Sequence, residues 1–271
     1  LMTGKSTATK FVQSACLSLL ALIFGGSLAL AQEVADSRQA KEERLVAMLA
    51  SGNEEQKLEA AIELGSLLSA TTQATQQTVS SLGNVLGRDS SAVIRSLAAR
   101  AMELSRDDRF VSVLLSSLNS EREVAVRKTI IYALARHNST QVVAALLPGL
   151  KDRQQDIRAA AAYALAEIGD PASADSLIEL LGKRGKDEDA FARSQAARGL
   201  GKMGNRAAID DLLKALNRDK SSEVRRESVR SLGQIANVQD VKIVEALKLA
   251  KLESDPYLAA LAASALERLS P

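Results

Sequence analysis

An acidic residue stands six positions before an arginine five times in this chain, and the pairs recur every 31 to 35 residues: Asp89 with Arg95, Glu121 with Arg127, Asp152 with Arg158, Asp187 with Arg193, and Asp219 with Arg225. With 33 acidic residues in 271, five matches in five mark a repeat and not coincidence. A fixed period of this size restricts the fold to stacked supersecondary units, each too small to bury an apolar face alone.

Each Arg also opens the same local pattern. In Ile157-Arg158-Ala159-Ala160-Ala161-Ala162-Tyr163-Ala164-Leu165 the apolar positions fall one before Arg and three, four and seven after it, which trace one face of an α-helix. A second apolar segment precedes each of these, as in Val142-Val143-Ala144-Ala145-Leu146-Leu147. The unit is therefore a helical hairpin with the acid in its turn and Arg in the first turn of its second helix. Weaker copies surround Lys57, with Ser51 six residues back, and Ala259, with Glu253 six residues back, so the ladder is expected to decay at both ends. About seven hairpins fit between residues 36 and 269. The chain is 46% hydrophobic but only 3% aromatic, with no Trp, so Ala and Leu must do the packing. That composition favours closely spaced helices over sheet. The expected fold is all-α, a right-handed α-α superhelix.

The first stretch follows a different logic. Lys5 and Lys10 precede an apolar run from Cys16 to Phe24, then Gly25, Gly26 and Ser27, and Ala29-Leu30-Ala31 supplies small residues at a cleavage site. This predicts a cleavable signal peptide over residues 1–31, a repeat domain over 32–271, and export to a periplasmic or extracellular compartment. The alternative is a retained anchor, for which the apolar run is short and interrupted. Cys16 lacks the Leu-x-Gly/Ala pattern that precedes a lipidated Cys. Cleavage removes two of the 35 basic residues and none of the 33 acidic ones, leaving a net charge of zero. No global basic footprint for nucleic acid remains, no stable membrane insertion is expected after cleavage, and no Cys is left for a disulfide or a thiolate-bound metal.

The acid, five residues, Arg, then a small pair and Leu resemble HEAT repeats, in particular the short bacterial HEAT-like variety of the phycobilisome lyases, over nearly all of 32–271. The resemblance implies that the acids and arginines form a ladder between neighbouring repeats. It also implies that the second helix of each hairpin lines a concave face. Lyase members attach bilins to cytosolic proteins that an exported chain would not meet. The HEAT-like deoxyhypusine hydroxylase holds iron with several His-Glu pairs, which a chain with one His does not supply.

Other motifs are weaker. Gly199-x-Gly201-x-x-Gly204 matches the dinucleotide fingerprint but lies within a helix, without the strand that motif needs. Gly201 shares its repeat position with Gly65, Gly233, Ala135 and Ala166, which points to close helix approach. Gly204 and Gly169 suit helix C-terminal caps. His137 reads as a polar residue at a helix end, with no nucleophile elbow for a triad. The run from Gly182 to Asp189 reads as a charged connection or a partner-contacting loop. The remaining signal is the column five residues after each ladder position: Ile62, Arg100, Tyr132, Tyr163, Arg198, Arg230 and Ser264. The next column adds Arg136, Glu167, Lys202 and Gln234. Arg and Tyr are enriched at binding hot spots, although such side chains also pack on adjacent repeats. The expected function is a non-catalytic, cofactor-free scaffold or adaptor that binds a protein or peptide through Arg100, Tyr132, Arg136, Tyr163, Arg198, Lys202 and Arg230. A lyase-type subunit and a structural part of an envelope assembly are the alternatives.

Overall fold

A computed structural model describes residues 37–70, 73–105, 107–182 and 189–269. The proposed signal segment, and Asp187 with most of the charged run, lie outside them. Among the described residues there are fourteen α-helices and no strand. The first hairpin joins α1 (37–51) to α2 (Glu54–Ser69), and the next two join α3 (Gln76–Arg88) to α4 (Ala92–Leu104) and α5 (Arg109–Ser120) to α6 (Val124–Leu134). The fourth joins α7 (Thr140–Leu146), extended by a 3-10 turn over Leu147–Lys151, to α8 (Gln155–Ile168). The last three join α9 (Ala174–Gly182) to α10 (Ala190–Lys202), α11 (Ile209–Arg218) to α12 (Ser222–Ile235), and α13 (Val241–Ala250) to α14 (Pro256–Leu269).

Local chemistry sets the helix ends. Asn53 and Gln56 form a reciprocal capping box at the start of α2, and Thr75, Ser139 and Asp189 cap α3, α7 and α10 with their side chains. Gly169 ends α8 at φ 69°, a left-handed conformation that glycine adopts without a Cβ clash.

The even-numbered helices stack on one another from α2 to α14, and the odd-numbered helices form a second layer. The even layer is the more closely packed, because small residues face each other across it. A Cβ on Gly199 would lie 3.0 Å from Ala166, one on Gly233 2.6 Å from the Ala265 Cβ, and one on Gly201 2.7 Å from the Ser231 Cα. This tighter spacing puts the even layer on the inner side of the array. Between the layers runs one continuous core of Leu, Ile, Val and Ala, with Phe110 wholly buried in it.

Ion pairs stitch one edge of the array, at the turns inside the hairpins. The Arg95 guanidinium donates through Nε and Nη2 to both carboxylate oxygens of Glu121, at 2.8 and 3.0 Å, and through Nη1 to its own hairpin at the Asp89 carbonyl, 2.9 Å. Arg193 grips Asp219 in the same two-pronged way at 2.8 and 3.0 Å, and Arg127 meets Asp152 at 2.6 Å. Arg95 thus ties its own turn to the acid of the next repeat, while the ladder acids accept the N–H two residues on, as Asp89 does from Ser91 and Asp219 from Ser221. Arg158 and Arg225 donate to the carbonyls of Asp152 and Asp219 in their own turns.

The ends differ from the expected decay. Lys57 stands in for Arg and reaches Asp89 at 2.7 Å, so the first hairpin carries a rung although it lacks the acid. At the other end Glu253 takes no part. Arg226 and Asp255 form the last rung at 3.0 and 3.1 Å, each displaced from the repeat register.

Candidate functional site

Hydrogen bonds keep the ladder acids ionised against the effect of burial. Arg95 holds the Glu121 carboxyl below its ordinary range against the opposing effect of burial. For Asp89, Asp152 and Asp219 burial acts upward, and hydrogen bonds from Lys57, Arg127 and Arg193 with backbone N–H groups outweigh it. Arg193 and Asp219 are 8% and 2% exposed, so this rung lies inside the protein.

Five residues further along the same helices the side chains emerge on the inner face. Tyr132 on α6 and Tyr163 on α8 meet edge to face, with ring centroids 5.5 Å apart and planes at 88°. They floor a pocket of about 300 Å³, walled by Arg100 and Glu103 of α4, Arg136 after α6, Glu167 of α8 and Phe191 of α10. Four of the seven binding residues proposed from sequence therefore converge: Arg100, Tyr132, Arg136 and Tyr163.

The charges around this pocket are unequally satisfied. Arg100 donates to Glu103 at 2.6 Å, and Arg198 donates to Glu167 at 2.5 Å. Lys202 is drawn to the Glu167 carbonyl and lies over Gly169. Arg136 is exposed and has no ion-pair partner among the described residues, and neither Tyr132 nor Tyr163 has a partner there for its hydroxyl. The pocket thus presents one uncompensated guanidinium and two free phenolic groups beside an aromatic floor. Arg198 and Lys202 border it through Glu167. Arg230 stands apart, 3.7 Å from Glu227, and lines a separate groove between α12 and α14 with Tyr257.

The comparisons with known proteins agree with this geometry. A profile described as HEAT repeats matches residues 111–189 and 183–267, together more than half of the chain. This chain belongs to the HEAT-repeat family. No curated protein matches it. Among solved structures, the array is similar to YibA of Escherichia coli at 18% identity and TM-score 0.58, covering 85% of this chain and 81% of that one. It is similar to an engineered protein at 23% identity and TM-score 0.56, covering 84% and 68%. The CpcE–CpcF complex of phycocyanin lyase from Nostoc sp. aligns at 20% identity and TM-score 0.47, covering 83% and 75%. Likeness at these identities establishes the HEAT solenoid and nothing about its ligand.

Within this HEAT array the weaker motifs take structural places. Gly199 and Gly201 lie in α10 against Ala166 and Ser231, and Gly204 turns at φ 64°. His137, read from sequence as a polar residue at a helix end, is buried, 5% exposed, with Nδ1 2.9 Å from the Asp108 carboxylate of the preceding repeat. The helix ends three residues earlier, at Leu134, and the following turn folds His137 inward. No helix among the described residues is long and apolar enough to cross a membrane, and no His, Cys, Asp and Glu cluster there has metal-site geometry.

Sequence reasoning missed three contributors to the inner face. Phe191 and Glu103 join the tyrosine pocket from outside the column, at positions that vary between repeats. Glu227 lies two residues after its ladder Arg, where the other repeats carry an exposed Glu59, then Leu97, Thr129, Ala160, Gln195 and Leu261. A buried acid among mostly apolar and neutral residues was the available signal.

Proposed function

We propose that this HEAT array is an extracytoplasmic, non-catalytic scaffold that captures a peptide segment of a partner protein in the inner-face pocket around Tyr132 and Tyr163. The observation that supports it is the convergence of an aromatic pair with an uncompensated Arg136 on a rigid layer, where neither wall offers a nucleophile beside a base. Rings supply contact area at small entropic cost, and an unpaired guanidinium selects a carboxylate by a two-pronged hydrogen bond. The fitting segment carries an acidic residue next to an apolar or aromatic one. Residues 1–31 have the composition of an export signal and support the compartment.

The test is a photo-crosslinking capture from the exporting compartment, with the crosslinker at the Phe191 position and Arg136→Ala, Tyr132→Ala and Tyr163→Ala combined in the variant. Capture should fall at least tenfold while helicity and melting are retained. Equal capture by both proteins would remove the pocket from the function.

A further inference from the structure

The groove between α12 and α14 holds an acid that is only loosely paired, to Arg230. Glu227 is 7% exposed; its Oε1 lies 3.7 Å from the nearest Arg230 nitrogen, and its Oε2 is buried without a hydrogen-bond partner. The nearby cations leave Oε2 without a donor. Arg226 is committed to both Asp255 oxygens and lies 5.0 Å from the Tyr257 ring centroid, and Arg230 is half-exposed at the rim. Burial pushes the Glu227 carboxyl above its ordinary range, consistent with an acid lacking donors. Packing does not require an acid here, since the equivalent position is Leu97 in α4 and Leu261 in α14.

The carboxyl lines a pocket of about 400 Å³ whose other walls are Tyr257, Ala260, Leu261, Ser264 and Glu223, with the Arg226 and Arg230 side chains also lining it. Tyr257 is 69% exposed, an unusual state for a ring on a solenoid face with few aromatics. The pocket therefore has an apolar wall, an exposed ring and, at its base, an acceptor that lacks a donor.

We propose that this pocket binds a primary ammonium group on an alkyl chain, with Glu227 as its acceptor. An ammonium brings three donors and no acceptor, which matches the free Oε2 and, at the rim, Glu223 and the Ser264 hydroxyl. The alkyl stem lies along Ala260 and Leu261. A lysyl side chain and a free alkylamine share this chemistry. The site is separate from the Tyr132 pocket, whose last wall, Phe191, stands on α10, one hairpin before α12.

Nα-acetyl-lysine N-methylamide, its norleucine analogue and n-butylamine, each titrated into the full chain and followed by NMR, test the assignment. The lysine probe should saturate with shifts at Tyr257 and Leu261, and the norleucine analogue, equal in stem but uncharged, should bind at least tenfold more weakly. Glu227→Gln and Glu227→Leu should each lose the lysine probe at least tenfold with unchanged circular dichroism; Leu is the residue of two sister repeats, so one folded variant is secured. Butylamine binding as tightly as the lysine probe assigns a free amine, and weaker binding assigns a lysyl side chain. The proposal is overturned if the lysine probe does not saturate, if norleucine matches it, or if either Glu227 variant retains it.

Discussion

The two edges of the array solve the same problem in different ways. At the turns within hairpins a regular ladder joins Lys57 to Asp89, Arg95 to Glu121, Arg127 to Asp152, and Arg193 to Asp219. At the opposite edge, where one hairpin passes to the next, the joints are individual. Asp107 accepts the Ala74 N–H at 3.0 Å while Arg109 reaches the Ala74 carbonyl; His137 meets Asp108; Arg206 clasps Asp240 at 2.5 and 3.1 Å; and Glu42 accepts from Thr75 and Thr78. Both edges satisfy buried backbone and bind consecutive repeats, yet only the first uses one residue pair throughout. Regularity is thus not a condition of stability in this solenoid. It reflects the three-residue turns that Asp89, Glu121, Asp152 and Asp219 each open, whereas the inter-hairpin connections run from four to six residues and each is stitched by whatever side chain reaches.

The sharpest break of this comparison is Asp219→Ala. It leaves the Arg193 guanidinium buried without its carboxylate and should cost about 3 to 5 kcal/mol, measured by urea denaturation. Asp107→Ala, at the irregular edge, should cost about 2 kcal/mol, because the Ala74 N–H loses its acceptor. If Asp107→Ala proves as severe as Asp219→Ala, the irregular edge is equally decisive.

Titration should sharpen the same contrast. The Arg109 hydrogen bonds hold the Asp107 carboxyl down to about 2 against an ordinary value of 3.8, and Glu121 is lowered by Arg95. Groups depressed in the folded state contribute stability that is complete above the unfolded pKa and is lost as pH falls through the folded one. The stability that these two carboxyls supply should therefore be flat above about pH 5 and decline between about pH 4 and 2, with the Asp107 part worth about 2 kcal/mol. Asp107→Asn should remove that part of the decline in an acid unfolding series.

Glycine positions separate the layers. Gly201→Ala puts a Cβ against Ser231 backbone and should destabilise by about 1 to 3 kcal/mol. Gly87→Ala on the odd layer meets nothing within 4 Å and should stabilise by about 0.5 to 1 kcal/mol in thermal melts. The smallest effect is expected for Arg100→Ala. That residue is 56% exposed and joined only to Glu103 one turn along, so stability should move by less than about 0.5 kcal/mol. Arg95, five residues earlier on the same helix, is 14% exposed and holds Glu121 with both prongs, so a comparable loss at Arg100 would erase the distinction between ladder and column.

By itself the sequence determined the repeat, the pairing of helices, the acid-to-Arg spacing and the inner column, because each recurs at fixed offsets and the helical period converts offsets into faces. Ile157, Ala161, Ala162 and Leu165 are buried as their spacing requires. Only the tertiary structure decided that Arg95 crosses to Glu121 of the next repeat while its own acid supplies a backbone carbonyl. It also decided that Lys57 carries a rung, that His137 turns inward to Asp108, and that Phe191 and Glu103 close the pocket over Tyr132 and Tyr163. These contacts join residues about 25 to 60 positions apart, and their partners are chosen by how neighbouring hairpins stack. Spacing within one helix carries no information about that geometry.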